Sequence, residues 1–267
     1  RTARMILDSL GRRHEFSRPP RRVVSLVPSL TETLFAIGAG DVVAGVTTFC
    51  VFPEEALAAV PRVGGTKNPR IDAIRALAPD LVYVNVEENL PQHAEEIAEF
   101  APVFATEPKS VDDAAALVRL LGRVHDVETR AESIAEAICA AKRSAITAAT
   151  PFRFACAIWK EPWMWCGGDT YVSDLIASAG GTNVLGDATR YPQRTLDDVL
   201  DLAPAVIFLP DEPYPFALAD RDAVGVRDTH VIGPFPGHLF TWHGARTLEG
   251  LRFLQRATGD MTVVRSR

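Results

Sequence analysis

The chain contains one segment twice, and that repeat constrains its fold more than any other feature. Residues 71–84, Ile-Asp-Ala-Ile-Arg-Ala-Leu-Ala-Pro-Asp-Leu-Val-Tyr-Val, return at 196–209 as Leu-Asp-Asp-Val-Leu-Asp-Leu-Ala-Pro-Ala-Val-Ile-Phe-Leu, at a constant offset of 125. In each copy apolar residues at i, i+3 and i+6 predict one face of a short helix, ended by Pro79 or Pro204. A run of apolar residues rich in β-formers then predicts a buried strand. Two such units about half the chain apart predict two similar α/β lobes, with a ligand cleft where they meet.

At 267 residues the chain is long enough to bury two cores of this kind. A net charge of -6 gives no reason to expect nucleic acid or an anionic membrane as partner. Near the start, Met5-Ile6-Leu7 is cut short by Asp8, too brief for a transmembrane helix or the apolar region of a signal peptide. The chain is therefore expected to be a mature form, or else a protein that stays in the cytoplasm. Cys50, Cys139, Cys156 and Cys166 form no CxxC pair, which argues against a zinc knuckle or thioredoxin-like site. Buried free thiols are expected, with disulfide pairing left open.

Residues 1–20 read as an extended arm, since Pro19-Pro20 excludes helix. A strand is expected over 22–27, a turn at Pro28-Ser29, and a helix opened by a capping box between Ser29 and Glu32 and closed at Gly38. Another strand follows over 42–46. Residues 126 to about 147 contain no glycine or proline and predict one uninterrupted helix. After Pro151 come a strand over 152–159, a helix over 169–179 closed by Gly180-Gly181, a strand near Val231-Ile232 and a closing helix from Arg246. The expected class is α/β: two Rossmann-like lobes with mainly parallel sheets, residues 1–125 and 149–267, joined by a backbone helix over 126–148.

Four motifs in this order carry a family resemblance: Val-Ser-Leu-Val-Pro-Ser-Leu-Thr-Glu at 24–32, Val-Gly-Gly-Thr-Lys-Asn-Pro at 63–69, Leu-Ala-Pro-Asp-Leu-Val at 77–82, and Gly-Gly-Asp-Thr-Tyr-Val-Ser-Asp-Leu at 167–175. The chain resembles the helical-backbone, class III substrate-binding proteins of ABC importers, and within them the cobalamin-binding type. The resemblance implies a monomeric, periplasmic or surface-anchored receptor with no catalysis and no cofactor of its own. It would hold a corrinoid, cobalamin by preference, and deliver it to an ABC permease and ATPase complex. Haem or a ferric siderophore is the alternative ligand on the same fold. A cytoplasmic corrinoid-binding protein, or an enzyme on this fold, is the alternative from another class.

Aromatic residues in loops after strands could grip a large flat ligand, because each ring covers much apolar surface at little entropy cost. Phe49, Trp163, Trp165 and Trp242 stand in such places, while Tyr214 in the loop after the second repeat strand could hydrogen-bond amide groups on a corrinoid rim or cap its loop. Each could equally fill a loop core. Thr66 offers backbone and a hydroxyl where the family can place an aromatic. Glu88 follows the first repeat strand and could hydrogen-bond amide groups on a corrinoid rim or cap its loop. His243 beside Trp242 could face the ligand, but too few other ligands accompany it to expect a bare metal site. Asp72 and Asp197 occupy one place in the two repeat copies. The resemblance implies that this pair docks on the permease, and a carboxylate stabilised by its own helix N-terminus explains the positions equally well. No GxSxG, P-loop, HExxH or dinucleotide fingerprint is present, so an enzyme is not expected.

Overall fold

The computed structural model describes residues 4–148, 150–225 and 229–264. The chain divides into two compact units, Arg1–Pro108 with Ala115–Glu136, and Lys109–Ala114 with Ala137–Arg267. Each contains a mainly parallel sheet with helices, and the last crossing of the chain from the first unit to the second, after Glu136, falls inside one long helix.

The first unit opens with β1 (Arg4–Leu7) and β2 (Arg13–Phe16), an antiparallel hairpin. This corrects the expected extended arm. The Asp8 carboxylate accepts hydrogen bonds from the Leu10 and Arg12 amides (3.0 and 2.9 Å) and from Arg12 Nε (3.0 Å), which closes a turn that a charge count does not reveal. It also accepts from the Ala105 amide (3.2 Å), so the hairpin is tied to the sheet behind it. Those hydrogen bonds hold Asp8 below the ordinary carboxylate range although burial alone would raise it.

The strands β3 (Val23–Ser25), β4 (Val43–Val46), β5 (Leu81–Asn85) and β6 (Val103–Thr106) form a parallel sheet in the order β4-β3-β5-β6. They alternate with α1 (Pro28–Ala36), α2 (Glu54–Leu57), α3 (Ile71–Ala76) and α4 (Pro91–Ala98), and α5 (Val111–His125) and α6 (Glu128–Ala148) follow. Every residue of β5 is buried, as expected of a parallel strand covered on both faces. Val82 and Val84 pack with Ile74, Val24 and Ile97 in one core, while Tyr83 turns the other way against Phe104 and bonds His125 Nε2 at 2.8 Å.

The second unit holds β7 (Phe152–Trp159), β8 (Met164–Trp165), β9 (Gly181–Asn183), β10 (Val206–Pro210) and β11 (His230–Phe235). The order is β11-β10-β7-β8 with β9 also on β7, and only β8 runs antiparallel. Its helices are α7 (Tyr171–Ala177), α8 (Leu196–Asp201), α9 (Leu218–Val224), α10 (His238–Thr241) and α11 (Thr247–Val264).

The repeat is conserved as structure. The bounds of α3 and β5 plus 125 are the bounds of α8 and β10, and Val199, Ile207 and Leu209 take the core places of Ile74, Val82 and Val84. Burying each such side chain stabilises its unit by roughly 1.5–3 kcal/mol. Past each helix one alanine adopts a left-handed conformation, Ala78 at φ 45° and Ala203 at φ 52°. An arginine reaches each helix end: Arg22 donates from Nε to the Leu77 carbonyl (2.8 Å), and Arg153 from its guanidinium to the Leu202 carbonyl (2.7 Å). These contacts satisfy carbonyls that the helix leaves without partners.

The helix α1 begins earlier than expected. Val27 is its N-cap with no side-chain cap, Pro28 is the first helical residue, and Ser29 is buried inside. Proline suits the first helical position because its φ is preset and the N–H it lacks would have no intrahelical partner there. The capping box occurs instead at Thr195, whose hydroxyl accepts from the Asp198 amide (3.1 Å) while Asp198 accepts from the Thr195 amide (3.1 Å). The expected glycine stops are present, with Gly38 at φ 87° after α1 and Gly180 at φ 89° after α7.

Both left-handed alanines are exposed, so glycine there removes a Cβ penalty without opening a cavity. Ala78→Gly and Ala203→Gly should each raise unfolding free energy by about 0.5–1 kcal/mol after the added unfolded-state entropy is subtracted. Urea denaturation of both single variants measures this, and a fall in the midpoint for either refutes the strain argument at that site.

Candidate functional site

Fully buried parallel strands leave little place for exposed polar chemistry except the loops at their ends. In the first unit the loops after β3 and β5 and the Gly64–Thr66 turn are joined by side chains of two asparagines. Asn89 donates from Nδ2 to the Leu26 carbonyl (3.2 Å) and the Thr66 carbonyl (3.0 Å), and its Oδ1 accepts from the Asn85 amide (2.8 Å). Asn85 Oδ1 accepts in turn from the amides of Glu87 (2.8 Å) and Glu88 (3.2 Å). Asn89, with Glu87 and Glu88, is expected from sequence as a polar group of the loop after the first repeat strand, whereas Asn85 is not. The available signal was their four-residue spacing at a strand end, where amide side chains commonly organise turns.

Phe49 stands on this rim with 59% of its surface exposed. Its ring fits against Gly65, where an added Cβ would lie 3.3 Å from Phe49 Cε2. The loop beneath is fastened by a bond from the Thr48 amide to the Gly64 carbonyl (2.8 Å) and by the Arg62 guanidinium on the Cys50 carbonyl (2.5 Å). Cys50 is a buried free thiol between the hydroxyls of Thr31 and Thr47, both at 3.2 Å, and burial raises its pKa. Thr66 is half-buried with its carbonyl engaged by Asn89, and Glu88 is half-buried beside it in the bonded loop.

In the second unit the exposed ring on the corresponding edge is Trp159, the last residue of β7, which is 41% exposed. It meets the half-buried Tyr214 edge-on at 5.4 Å, and Tyr214 rests on Phe216 at 4.7 Å. Lys160 pairs with Asp220 at 2.5 Å, which raises the lysine and lowers the aspartate. Sequence reading placed Trp159 in a strand and did not identify it as exposed. Its signal was the loop-forming Lys160-Glu161-Pro162 that ends the strand at that ring.

Several expected ligand-facing residues lie elsewhere. Trp165 is fully buried in the core with Leu185, Val199 and Ile207, and its Nε1 donates to the Arg194 carbonyl (2.9 Å). Trp163 is half-buried and stacked between Trp165 and Phe216 at 5.4 and 5.8 Å. The pair was expected in a loop with little local core, but β8 folds back on β7 and carries Trp165 inward. Trp242 is 7% exposed and hydrogen-bonds Glu212, whose carboxyl is raised by lost hydration and by neighbouring Asp211 although the residue as a whole is exposed. His243 is buried against Tyr171, and desolvation lowers its pKa to about 4, so it is neutral near pH 7. The buried Trp165, Trp242 and His243 are therefore assigned to the framework of the second unit. Asp72 and Asp197 are exposed in the first turns of α3 and α8. Among the described residues no group of three or more His, Cys, Asp or Glu could hold a metal ion, and no helix is long and apolar enough to cross a membrane.

Paired α/β units on one repeated plan, with aromatic and polar groups gathered at the strand ends, define a two-lobed binding protein. The chain belongs to the periplasmic binding protein family, which residues 23–224 match. Among curated relatives it is 27% identical over 198 residues to the vitamin B12-binding protein of Vibrio parahaemolyticus, covering 72% of this chain and 71% of that one. An uncharacterised ABC transporter substrate-binding lipoprotein of Bacillus subtilis is 25% identical over 252 residues, covering 89% and 79%. Similar solved folds include the periplasmic vitamin B12-binding protein of Vibrio cholerae, with a TM-score of 0.75, 22% identity, and 89% and 96% of the two chains covered. The apo periplasmic haem-binding protein of Roseiflexus sp. RS-1 gives 0.74, 24%, and 90% and 98%. An Fe3+-hydroxamate transport protein of Saccharomonospora viridis gives 0.77, 22%, and 96% and 99%.

The two exposure classes make opposite predictions. Trp165→Ala should destabilise the protein by about 3–5 kcal/mol through lost core packing, whereas Trp159→Ala should change stability by less than about 1 kcal/mol. Chemical denaturation distinguishes them, and equal effects would refute the assignment of Trp165 to the core.

Proposed function

We propose that this protein is an extracytoplasmic, monomeric solute-binding component of an ABC importer that captures a corrinoid, cobalamin by preference, and performs no catalysis. The observation that carries the ligand choice is the match over 198 residues to a relative named for vitamin B12. An exposed aromatic in each unit supports it, Phe49 in the first and Trp159 in the second, because a corrin ring presents a broad apolar face that an exposed ring of this kind can cover. Tyr214 extends the apolar surface beside Trp159, Trp163 supports it from below, and Thr66 and Glu88 supply polar groups for the amide side chains of a corrinoid rim. Haem or a ferric siderophore is the second reading, favoured by similar folds named for haem and Fe3+-hydroxamate.

Titration calorimetry should find submicromolar binding of cyanocobalamin, about −8 kcal/mol or stronger. Phe49→Ala and Trp159→Ala should each weaken it by at least about 1 kcal/mol while leaving the fold intact. Saturable binding of haem or ferric hydroxamate with none of cyanocobalamin would overturn the vitamin assignment.

Asp72 and Asp197 are proposed to meet basic groups on the permease, one from each repeat copy. Exposed charges of this kind set association rate and register more than affinity. The double variant Asp72→Arg, Asp197→Arg should lose most uptake in a reconstituted transporter while keeping its affinity for cyanocobalamin in solution. Full uptake by the double variant refutes the docking role.

A further inference from the structure

Charge is distributed unevenly along the chain. Residues 1–22 contain seven arginines and two acidic residues, a local net of +5, which leaves −11 on the remainder of a chain whose net charge is -6. The whole-chain figure thus conceals a basic region, and that region includes the hairpin. Arg4 is neutralised by Asp126 and Glu128, and Arg12 by Asp8. Arg13, Arg18 and Arg21 are exposed and make no ion pair among the described residues.

The same hairpin exposes apolar side chains. Met5, Leu7 and Leu10 are 65%, 55% and 55% exposed, three of the ten large exposed hydrophobics among the described residues, all within six positions. Strand pairing explains the arrangement. Leu7 pairs with Arg13 and Met5 with Glu15, so these four share one face, while Ile6 and His14 share the other. The inner face is occupied, with Ile6 buried and His14 against Phe104 at 4.8 Å. The outer face carries Met5 and Leu7 beside Arg13, which has no ion pair among the described residues, and Glu15, while Leu10 is exposed on the turn that Asp8 orders. Arg12 and Arg13 also line, with His14 and Phe100, an open groove of about 520 Å³.

We propose that the outer face of the β1–β2 hairpin is a contact surface for an anionic phospholipid bilayer, with Met5, Leu7 and Leu10 entering the interface and Arg13, aided by Arg18 and Arg21, meeting lipid phosphates. An apolar face flanked by arginines is complementary to such a surface, where buried apolar area and attraction to anionic headgroups act together. The inference is independent of the ligand assignment.

Vesicle flotation tests it at about 50 mM sodium chloride, where screening is weak. Vesicles of phosphatidylcholine with about 30% phosphatidylglycerol should bind the protein, and pure phosphatidylcholine vesicles should bind it far less. Retention should be largely lost at about 500 mM salt. Arg13→Ala should lower partitioning roughly fivefold, and Leu7→Ser roughly tenfold. Thermal melting should be unchanged in both variants, and Arg18→Ala with Arg21→Ala offers a substitution outside the strands if either hairpin variant misfolds. Equal binding to the two vesicle types, or binding by the variants equal to that of the parent chain, overturns the proposal. A concentration-dependent dimer abolished by Leu7→Ser would also overturn it, by assigning the face to a second copy of this chain.

Discussion

The structure of each unit depends on a parallel sheet whose central strands are buried on both faces. All residues of β5 and of β10 are buried, so side chains pointing either way must pack against helices or neighbouring strands. Such strands use their backbone polar groups in the ladder and their side chains in the core, leaving almost nothing for recognition. Polar and exposed aromatic groups are consequently displaced to the strand ends. The helix that precedes each repeat strand must also stop and turn within a few residues, which is why Ala78 and Ala203 adopt left-handed backbone and why an arginine engages each helix terminus.

With exposed aromatic and polar groups at the strand ends, a single fold can serve ligands of different chemistry. The structural relatives are named for vitamin B12, haem and Fe3+-hydroxamate at similar TM-scores, so architecture alone does not select among them. In this chain the first rim is organised by an amide network through Asn85 and Asn89, which orients the loop bearing Glu88 and fixes the Thr66 carbonyl. Phe49 stands free above it. In the second unit a framework of stacked rings, Trp165, Trp163, Phe216 and Tyr214, ends at the exposed Trp159. The buried members of that stack support the exposed one, so an aromatic count alone overstates how many rings a ligand could touch.

Electrostatics adds a separate level of organisation. The acidic majority of the chain and the basic first 22 residues have opposite charge, and within the latter the hairpin over residues 4–16 is closed through one buried aspartate. Asp8 is stabilised there because backbone amides and Arg12 compensate its lost hydration.

Sequence by itself determined the repeat, its offset, the order of helix and strand within it, the glycine stops at Gly38 and Gly180 and the uninterrupted helix that became α6. These are local consequences of apolar periodicity, backbone freedom and the absence of breakers, and they survive any packing arrangement. Tertiary structure decided which rings are exposed and which form the core. Trp165 and Trp159 lie six residues apart around the same loop, yet antiparallel pairing of β8 with β7 buries one while the strand end leaves the other open. Tertiary structure also decided that residues 4–16 form a hairpin and that Asn89 links three segments, since Asp8 reaches Ala105 and Asn89 reaches Leu26 across about a hundred and sixty intervening positions combined. Contacts between residues so distant in sequence leave no periodic trace, because their partners are brought together only when the sheet forms.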